Sequence, residues 1–390
     1  MPIELDESVA AALHEYFARR DSEMLSFMRA LVEAESPSGD VEGNAAVVSL
    51  LSEAARQIDP ETEITFEADS DYGKHLLIRA TGSHDRNAPT TLILGHTDTV
   101  HPRGSTQVRP WREEDGRIFA PGIFDMKANC ALAVEALRAC AALKLQPTHP
   151  VSILLTCDEE VGSASGRALV EAEARRAAQV LVFEPSAPGG KAKTARKGTS
   201  MYTLHATGIA AHAGLDPENG ASAILEIARQ IERLDKFNDA ARGVTVNAGV
   251  VSGGTRSNVV AAEAQTEVDV RFSTMADALR LDETISNLRP FDERVKLSVE
   301  GGINRPPLER SERVVALYEH ARRIAAVLGF ELGEASVGGA SDGNFAAAVG
   351  ATVLDGLGIA GDGAHAAHEH IIRSDIARRG AFLTGLLVTL

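Results

Sequence analysis

The sequence predicts an α/β fold, a mostly parallel sheet with helices on both faces, interrupted by a smaller β-α-β-β-α-β module. Three observations predict it. Short runs of consecutive apolar residues alternate with amphipathic helical stretches through the first half of the 390-residue chain, as expected of buried parallel strands joined by helices. Near Gly198 the pattern changes to longer, strictly alternating stretches, which suit an antiparallel sheet covered on one face. After Pro306 the first pattern resumes. The module is therefore expected as an insertion, with residues 1–199 and 308–390 forming one domain and 200–307 the other.

Taken in order, the chain opens in helices. Met24, Leu25, Met28, Leu31 and Val32 recur at helical spacing until Ser36-Pro37-Ser38-Gly39, and a further amphipathic helix runs from about Asn44 toward Ile58. Strands are expected at Glu63 to Glu67, Leu76 to Ala80 and Thr91 to Leu94, with a polar loop from Thr81 to Pro89. A helix opens near Asp125 and carries Leu132, Val134, Leu137 and Cys140. Strands at Val151 to Thr156 and Val180 to Phe183 flank a helix bearing Ala164, Leu169 and Val170. In the module the expected order from Tyr202 is strand, helix (Ala221 to Leu234), strand (Val244 to Val251), strand (Ala262 to Phe272), helix (Ala276 to Leu288) and strand (Val295 to Val299). A helix from Val314 to Leu328, a strand from Ala351 to Leu354 and a last helix from about Ser374 to Leu387 complete the larger domain.

Bulk composition narrows the class of partner. The net charge is -16, from 55 acidic against 39 basic residues, and no dense basic cluster exists, which argues against nucleic acid. Cys130, Cys140 and Cys157 lack metal or redox spacing and read as small core fillers. No apolar run has the length of a membrane span, and the acidic start Met1-Pro2-Ile3-Glu4-Leu5-Asp6-Glu7 is not followed by a signal-peptide core. A cytoplasmic protein without membrane or nucleic-acid partners is expected.

Five strand ends or following loops carry metal-ligand chemistry. His96 and Asp98 follow the apolar Leu92-Ile93-Leu94, where ligands of parallel sheets gather. Asp125 lies in Gly122-Ile123-Phe124-Asp125-Met126-Lys127, a place where many aspartates simply cap helices. Asp158-Glu159-Glu160 directly follows a buried strand, and three adjacent carboxylates there are costly without cations. Glu184 closes another strand in Phe183-Glu184-Pro185. The stretch Gly361 to His370 holds several histidines on flexible backbone. Two imidazoles and three carboxylates suffice for a pair of divalent ions bridged by one carboxylate about 3.5 Å apart. One glutamate of the Glu159-Glu160 pair is then left to take a proton from water.

These motifs, together with Ala211-His212-Ala213-Gly214, Asp269-Val270-Arg271 and Gly339-Ala340-Ser341-Asp342-Gly343, resemble the M20 metallopeptidases along nearly the whole chain. The resemblance implies a zinc-exopeptidase-like fold and a lid or dimerisation role for the inserted module. It implies that His96, Asp125, Glu160, Glu184 and His365 hold two zinc ions, with Asp125 bridging; cobalt or manganese suits the same donors. His365 rather than His368 occupies the family's Gly-x-His-x-x-x-Glu position. Glu159 becomes the general base, Asp98 orients His96, and His212 polarises the scissile carbonyl, across a dimer interface if the chain is a homodimer through the inserted domain. Asn258 and Arg271 match substrate-binding positions, Arg271 as a guanidinium fork for an α-carboxylate. Ala128-Asn129 departs from the glycine pair usual in relatives; asparagine tolerates left-handed backbone better than most residues.

The implied activity is hydrolysis of an amide next to a free carboxy-terminal amino acid in a small peptide or N-acyl amino acid. Asn304-Arg305-Pro306-Pro307 resembles the Arg-Pro turn of glutamate carboxypeptidases, whose arginine meets the substrate's side-chain carboxylate; Lys193 or Arg196 would assist. Glutamate release is therefore expected, with an N-acyl-amino-acid deacylase as the alternative. A non-catalytic metal-binding pseudoenzyme would be expected to have lost Glu159 or a ligand, and none is lost.

Overall fold

The computed structural model describes residues 5–58, 62–69, 71–80, 82, 84–85 and 87–390. Met1 to Glu4 and parts of the expected loop 81–89 lie outside the described residues. Two compact units result, one of residues 1–194, 310–337 and 341–390, the other of 195–309 and 338–340.

The larger unit is built on a six-stranded sheet. Its order is Glu63–Asp69, Gly73–Ala80, Val151–Thr156, Thr90–His96, Ala177–Val182 and Val353–Leu354. The last four are mutually parallel, and Gly73–Ala80 runs antiparallel to both of its neighbours, Glu63–Asp69 and Val151–Thr156. Thr90–His96 and Val151–Thr156 are buried at every position, which explains their unbroken apolar runs. Successive side chains point to opposite faces. Ile93 joins a large cluster with the helix Ala128–Leu143, while Leu92 and Leu94 lie outside that cluster, on the side where Arg167–Arg176 and Asp342–Ala348 pack.

Ala128–Leu143 is buried on nearly all sides between the sheet and the helices Glu7–Arg19, Asp21–Glu33 and Asp375–Thr389. Close approach explains Gly380: a Cβ there would lie 2.2 Å from the Phe17 ring. A two-residue strand, Gly361–Asp362, pairs with His370–Ile372, which pairs with Arg117–Phe119 and through it Arg112–Glu114. The sequence gives no sign of this second small sheet, because strands this short have no periodicity. All three cysteines are free and buried.

The smaller unit follows β-α-β-β-α-β order: Gly198–Thr207, Ala223–Asp235, Thr245–Gly253, Glu263–Phe272, Met275–Ser286 and Lys296–Arg305. Its strands are antiparallel in the order 245–253, 263–272, 198–207, 296–305. Leu204, Ala206, Val268, Val270 and Phe272 pack under the two helices in a core of their own.

One buried ion pair anchors the last helix of the larger unit. Asp375 and Arg379, 0% and 1% exposed, pair at 3.0 Å, and Asp375 also accepts the Ala360 amide at 2.7 Å. Removing one partner strands a buried charge, so Asp375→Ala is expected to destabilise the protein by about 3–5 kcal/mol in urea unfolding. A loss below about 1 kcal/mol would mean the pair is in practice solvated.

Candidate metal centre

The parallel strands Val151–Thr156, Thr90–His96 and Ala177–Val182 bring their carboxyl ends to one edge of the sheet, so His96, the Asp158-Glu159-Glu160 turn and Glu184 emerge together. His96 is 1% exposed, with Nδ1 2.9 Å from the Asp98 carbonyl oxygen. Its Nε2 lies 3.1 Å from Asp125 Oδ1 and 3.5 Å from Glu184 Oε1. On the other side of Asp125, His365 Nε2 lies 3.4 Å from Oδ2 and 3.0 Å from Glu160 Oε2. Asp125 thus turns one carboxylate oxygen to each histidine.

Among the described residues, two sets of three donors converge closely enough to hold an ion: His96, Glu159 and Glu184, and His96, Asp125 and Glu160. Glu159 therefore sits among the ligand candidates, and distance alone does not separate base from ligand. Glu160 Oε1 is buried without a hydrogen-bond partner, the state of a carboxylate oxygen that a cation would satisfy. Imidazole nitrogen and carboxylate oxygen suit zinc, cobalt or manganese. The residues fit a metal.

The electrostatics agree. Burial opposes a charge on His96, but hydrogen bonds to Asp125, Asp98 and Glu184 outweigh it and hold its pKa well above the ordinary imidazole value. Burial also pushes Asp125 up, yet hydrogen bonds from His365 and His96 bring it well below the usual carboxylate range. Hydrogen bonds to Asp125 and Glu160 raise His365 to about 10. Glu160 is raised, chiefly by burial. A bound metal would compete with protons for the same imidazole nitrogens.

The carboxylate of Asp98, 2% exposed, accepts the amides of Glu159 and Glu160, each at 3.2 Å, and the Ser38 hydroxyl at 2.7 Å. Its Oδ1 is 3.4 Å from His96 Nδ1, so the backbone carbonyl is the nearer partner of that ring. Asp342, at the start of its helix, accepts Thr156 Oγ1 at 2.8 Å and the Ser163 hydroxyl, bracing the same acid turn. Asp125 is not a helix cap: the helix begins at Ala128, and Asp125 has non-helical φ and ψ. Ala128-Asn129 requires no left-handed backbone, since both residues are helical. Lys127 is buried, donates to Leu31 O and Ser36 Oγ, and is lowered to about 8 by desolvation.

His365 has φ +63°, a conformation uncommon outside glycine and concentrated at functional sites. His368 is exposed, and its carbonyl accepts from His370 Nδ1. Glu369 is the residue that sequence reasoning left without a role. Only 2% exposed, it accepts the amides of Gly122, Phe124 and Asp125 at 2.9–3.0 Å and pairs with His101 Nε2. It ties the Asp125 loop to the His365 loop. Its signal was the motif spacing, four residues after His365; His101 carried none.

The remaining expected residues, Lys193 apart, belong to the smaller unit. His212 Nδ1 accepts the amides of Gly214 and Leu215 at 3.1 and 3.2 Å, which fixes the tautomer with Nε2 as donor. Exposed Asn258 gives its carbonyl to the Ala213 amide, beside His212. Arg271 is held by Asp269 through Nε and Nη2 at 2.8 and 2.9 Å, and Nη1 takes no part. Arg305 is buried at the end of its strand. Arg196 donates to the carbonyls of Gly339 and Ala340, and Lys193, in the larger unit, is also buried.

Residues 92–389 match the model of peptidase family M20/M25/M40. The chain belongs to that family and is a metal-dependent hydrolase of the metallopeptidase type. It is 29% identical to carboxypeptidase G2 of Pseudomonas sp. (strain RS-16), over 91% of this chain and 86% of that protein. It is 29% identical to the succinyl-diaminopimelate desuccinylase of Alkalilimnicola ehrlichii (94% and 98% covered) and 28% to the acetylornithine deacetylase of Myxococcus xanthus (68% and 71%). Among solved structures, aminopeptidase PepT from Bacillus cereus superposes with a TM-score of 0.77 at 21% identity, covering 95% of this chain and 98% of that one. The YXEP protein of Bacillus subtilis, a dinuclear metal-binding M20 peptidase, gives 0.69 at 14% identity (96% and 100%). The mostly parallel α/β fold with its inserted module is that of the M20 peptidases. No described helix is long and apolar enough to cross a membrane.

Glu369→Gln places an amide NH2 against backbone donors. It is expected to weaken zinc binding by about 10–100-fold in chelator competition; unchanged affinity would show that the Asp125 loop holds its shape unaided.

Proposed function

We propose that the chain is a two-zinc amidohydrolase that releases the carboxy-terminal amino acid, glutamate foremost, from small peptidyl or N-acyl substrates. One observation carries the reading: the Asp125 carboxylate faces His96 with Glu184 on one side and His365 with Glu160 on the other. In this reading those five residues hold the ions and Asp125 bridges them. Bound divalent ions supply Lewis acidity to the carbonyl and lower the pKa of water.

The chain's own residues do the rest. Glu159, held by its amide on Asp98, takes a proton from the attacking water and returns it to the departing nitrogen. His212, with Nε2–H as donor, stabilises the oxygen on which negative charge develops. Arg271 offers its Nη1 side to the α-carboxylate while Asp269 steadies the other edge. Arg305 meets the side-chain carboxylate of glutamate. Homodimerisation through the inserted domain and a cytoplasmic location complete the proposal.

The second reading, an N-acyl-amino-acid deacylase, is supported by the similarity to a desuccinylase and a deacetylase. Amino-acid release from a panel of dipeptides and N-acyl amino acids, with zinc, separates the two. Glutamate preference, reduced about tenfold or more by Arg305→Ala, supports the carboxypeptidase; indifference to glutamate moves the function to the deacylase. Glu159→Gln should retain zinc and lose about 10²–10⁴-fold in kcat. Near-normal turnover in that variant would remove Glu159 from the mechanism.

A further inference from the structure

Asn129 stands where the family resemblance fails, and its side chain is at the centre of the ligand-bearing segments. It is fully buried in the first turn of Ala128–Leu143. Its Nδ2 donates to the Phe124 carbonyl at 3.3 Å, one residue before Asp125. Its Oδ1 accepts the Ile359 amide at 2.9 Å. The neighbouring Gly358 amide donates to the carbonyl of Glu184 at 3.1 Å. One side-chain amide therefore spans the backbone beside Asp125 and the segment that holds the backbone of Glu184.

Gly358 is the counterpart of this contact. A Cβ there would lie 2.4 Å from Asn129 Nδ2, 2.7 Å from Cγ and 2.8 Å from Oδ1. The glycine is required by room, since its φ is not in the left-handed region. The amide is rigid, is anchored on a helix buried nearly all round, and has both polar atoms satisfied. It can therefore set a distance.

That distance bears on one half of the site. Asp125 Oδ1 and Glu184 Oε1 are the oxygens facing His96 Nε2, at 3.1 and 3.5 Å. Glu160, on the other half, is held through Asp98, and Glu369 holds the amide of Asp125, which the two halves share. We propose that Asn129 is a positioning residue for a metal ion held by His96, Asp125 and Glu184, and that Gly358 exists to admit it. The inference rests on the two-metal reading of the site.

The test is a cobalt titration of metal-free full-length protein, followed by absorption and by chelator competition, so that it does not depend on turnover. The wild-type chain is compared with Asn129→Gly, Asn129→Asp, Gly358→Ala and the double variant Asn129→Gly with Gly358→Ala. Asn129→Gly and Asn129→Asp are expected to weaken one cobalt equivalent by about tenfold or more and leave the other within about twofold. Gly358→Ala alone should weaken the same equivalent, and adding it to Asn129→Gly should cost little more, because the clash is then gone. Should Asn129→Gly fail to fold, Asn129→Asp carries the comparison: it is isosteric, keeps the acceptor for Ile359 and loses the donor to Phe124. Two equivalents of wild-type affinity in these variants, whatever their melting temperature, would overturn the inference alone. Equal weakening of both equivalents would also overturn it. Absence of cobalt uptake by the wild-type chain would overturn the two-metal reading and the inference together.

Discussion

The Asp98 carboxylate is the contact on which the centre depends. It is buried, and a buried charge persists only where its surroundings satisfy it. Here the satisfaction comes from the amides of Glu159 and Glu160, the Ser38 hydroxyl and the nearby His96 ring. The same bonds that make Asp98 tolerable orient the acid turn against the histidine. Burial pushes its pKa up, and hydrogen bonds from His96 and Ser38 bring it below the usual range, so it stays an acceptor. A turn of three adjacent acids is otherwise self-repelling. Asp98, together with Asp342 behind Thr156 and Ser163, gives it one shape.

Glu369 repeats the device on the other side. Its carboxylate collects the amides of the Asp125 loop and the ring of His101. Both carboxylates act by gathering backbone N–H groups, which are rigid donors, and not by long side chains. The prospective ligands are thereby held before any ion arrives, which lowers the reorganisation that binding would demand.

Much of this was legible in the sequence, for identifiable reasons. Leu92-Ile93-Leu94 and the run from Val151 to Thr156 are uniformly apolar because those strands are buried on both faces, and such runs are hard to mistake. The module's alternation survives because only one face of its sheet is covered. His96, Asp125, Glu160, Glu184 and His365 carry chemistry that strand ends seldom combine, and the structure brings them together. The supporting residues were not legible. Glu369 is marked only by its spacing after His365, Asn129 only as a departure from the glycine pair, and His101 by nothing, because the partners that give Glu369 and His101 their roles lie far away in sequence. The short strands Gly361–Asp362 and His370–Ile372 that flank the His365 loop are too brief to have a period. Asp125 has the sequence context of a helix cap, but the irregular turn from Ile123 to Lys127 separates it from the helix.

In the proposed centre one bridging aspartate divides two ions between His96 with Glu184 and His365 with Glu160. Anomalous X-ray diffraction at the zinc edge, on crystals of the zinc-loaded protein, tests it most directly. Two anomalous peaks per chain are expected, both in contact with Asp125, one beside His96 and the other beside His365. A single peak, or two peaks that do not share Asp125, would contradict it.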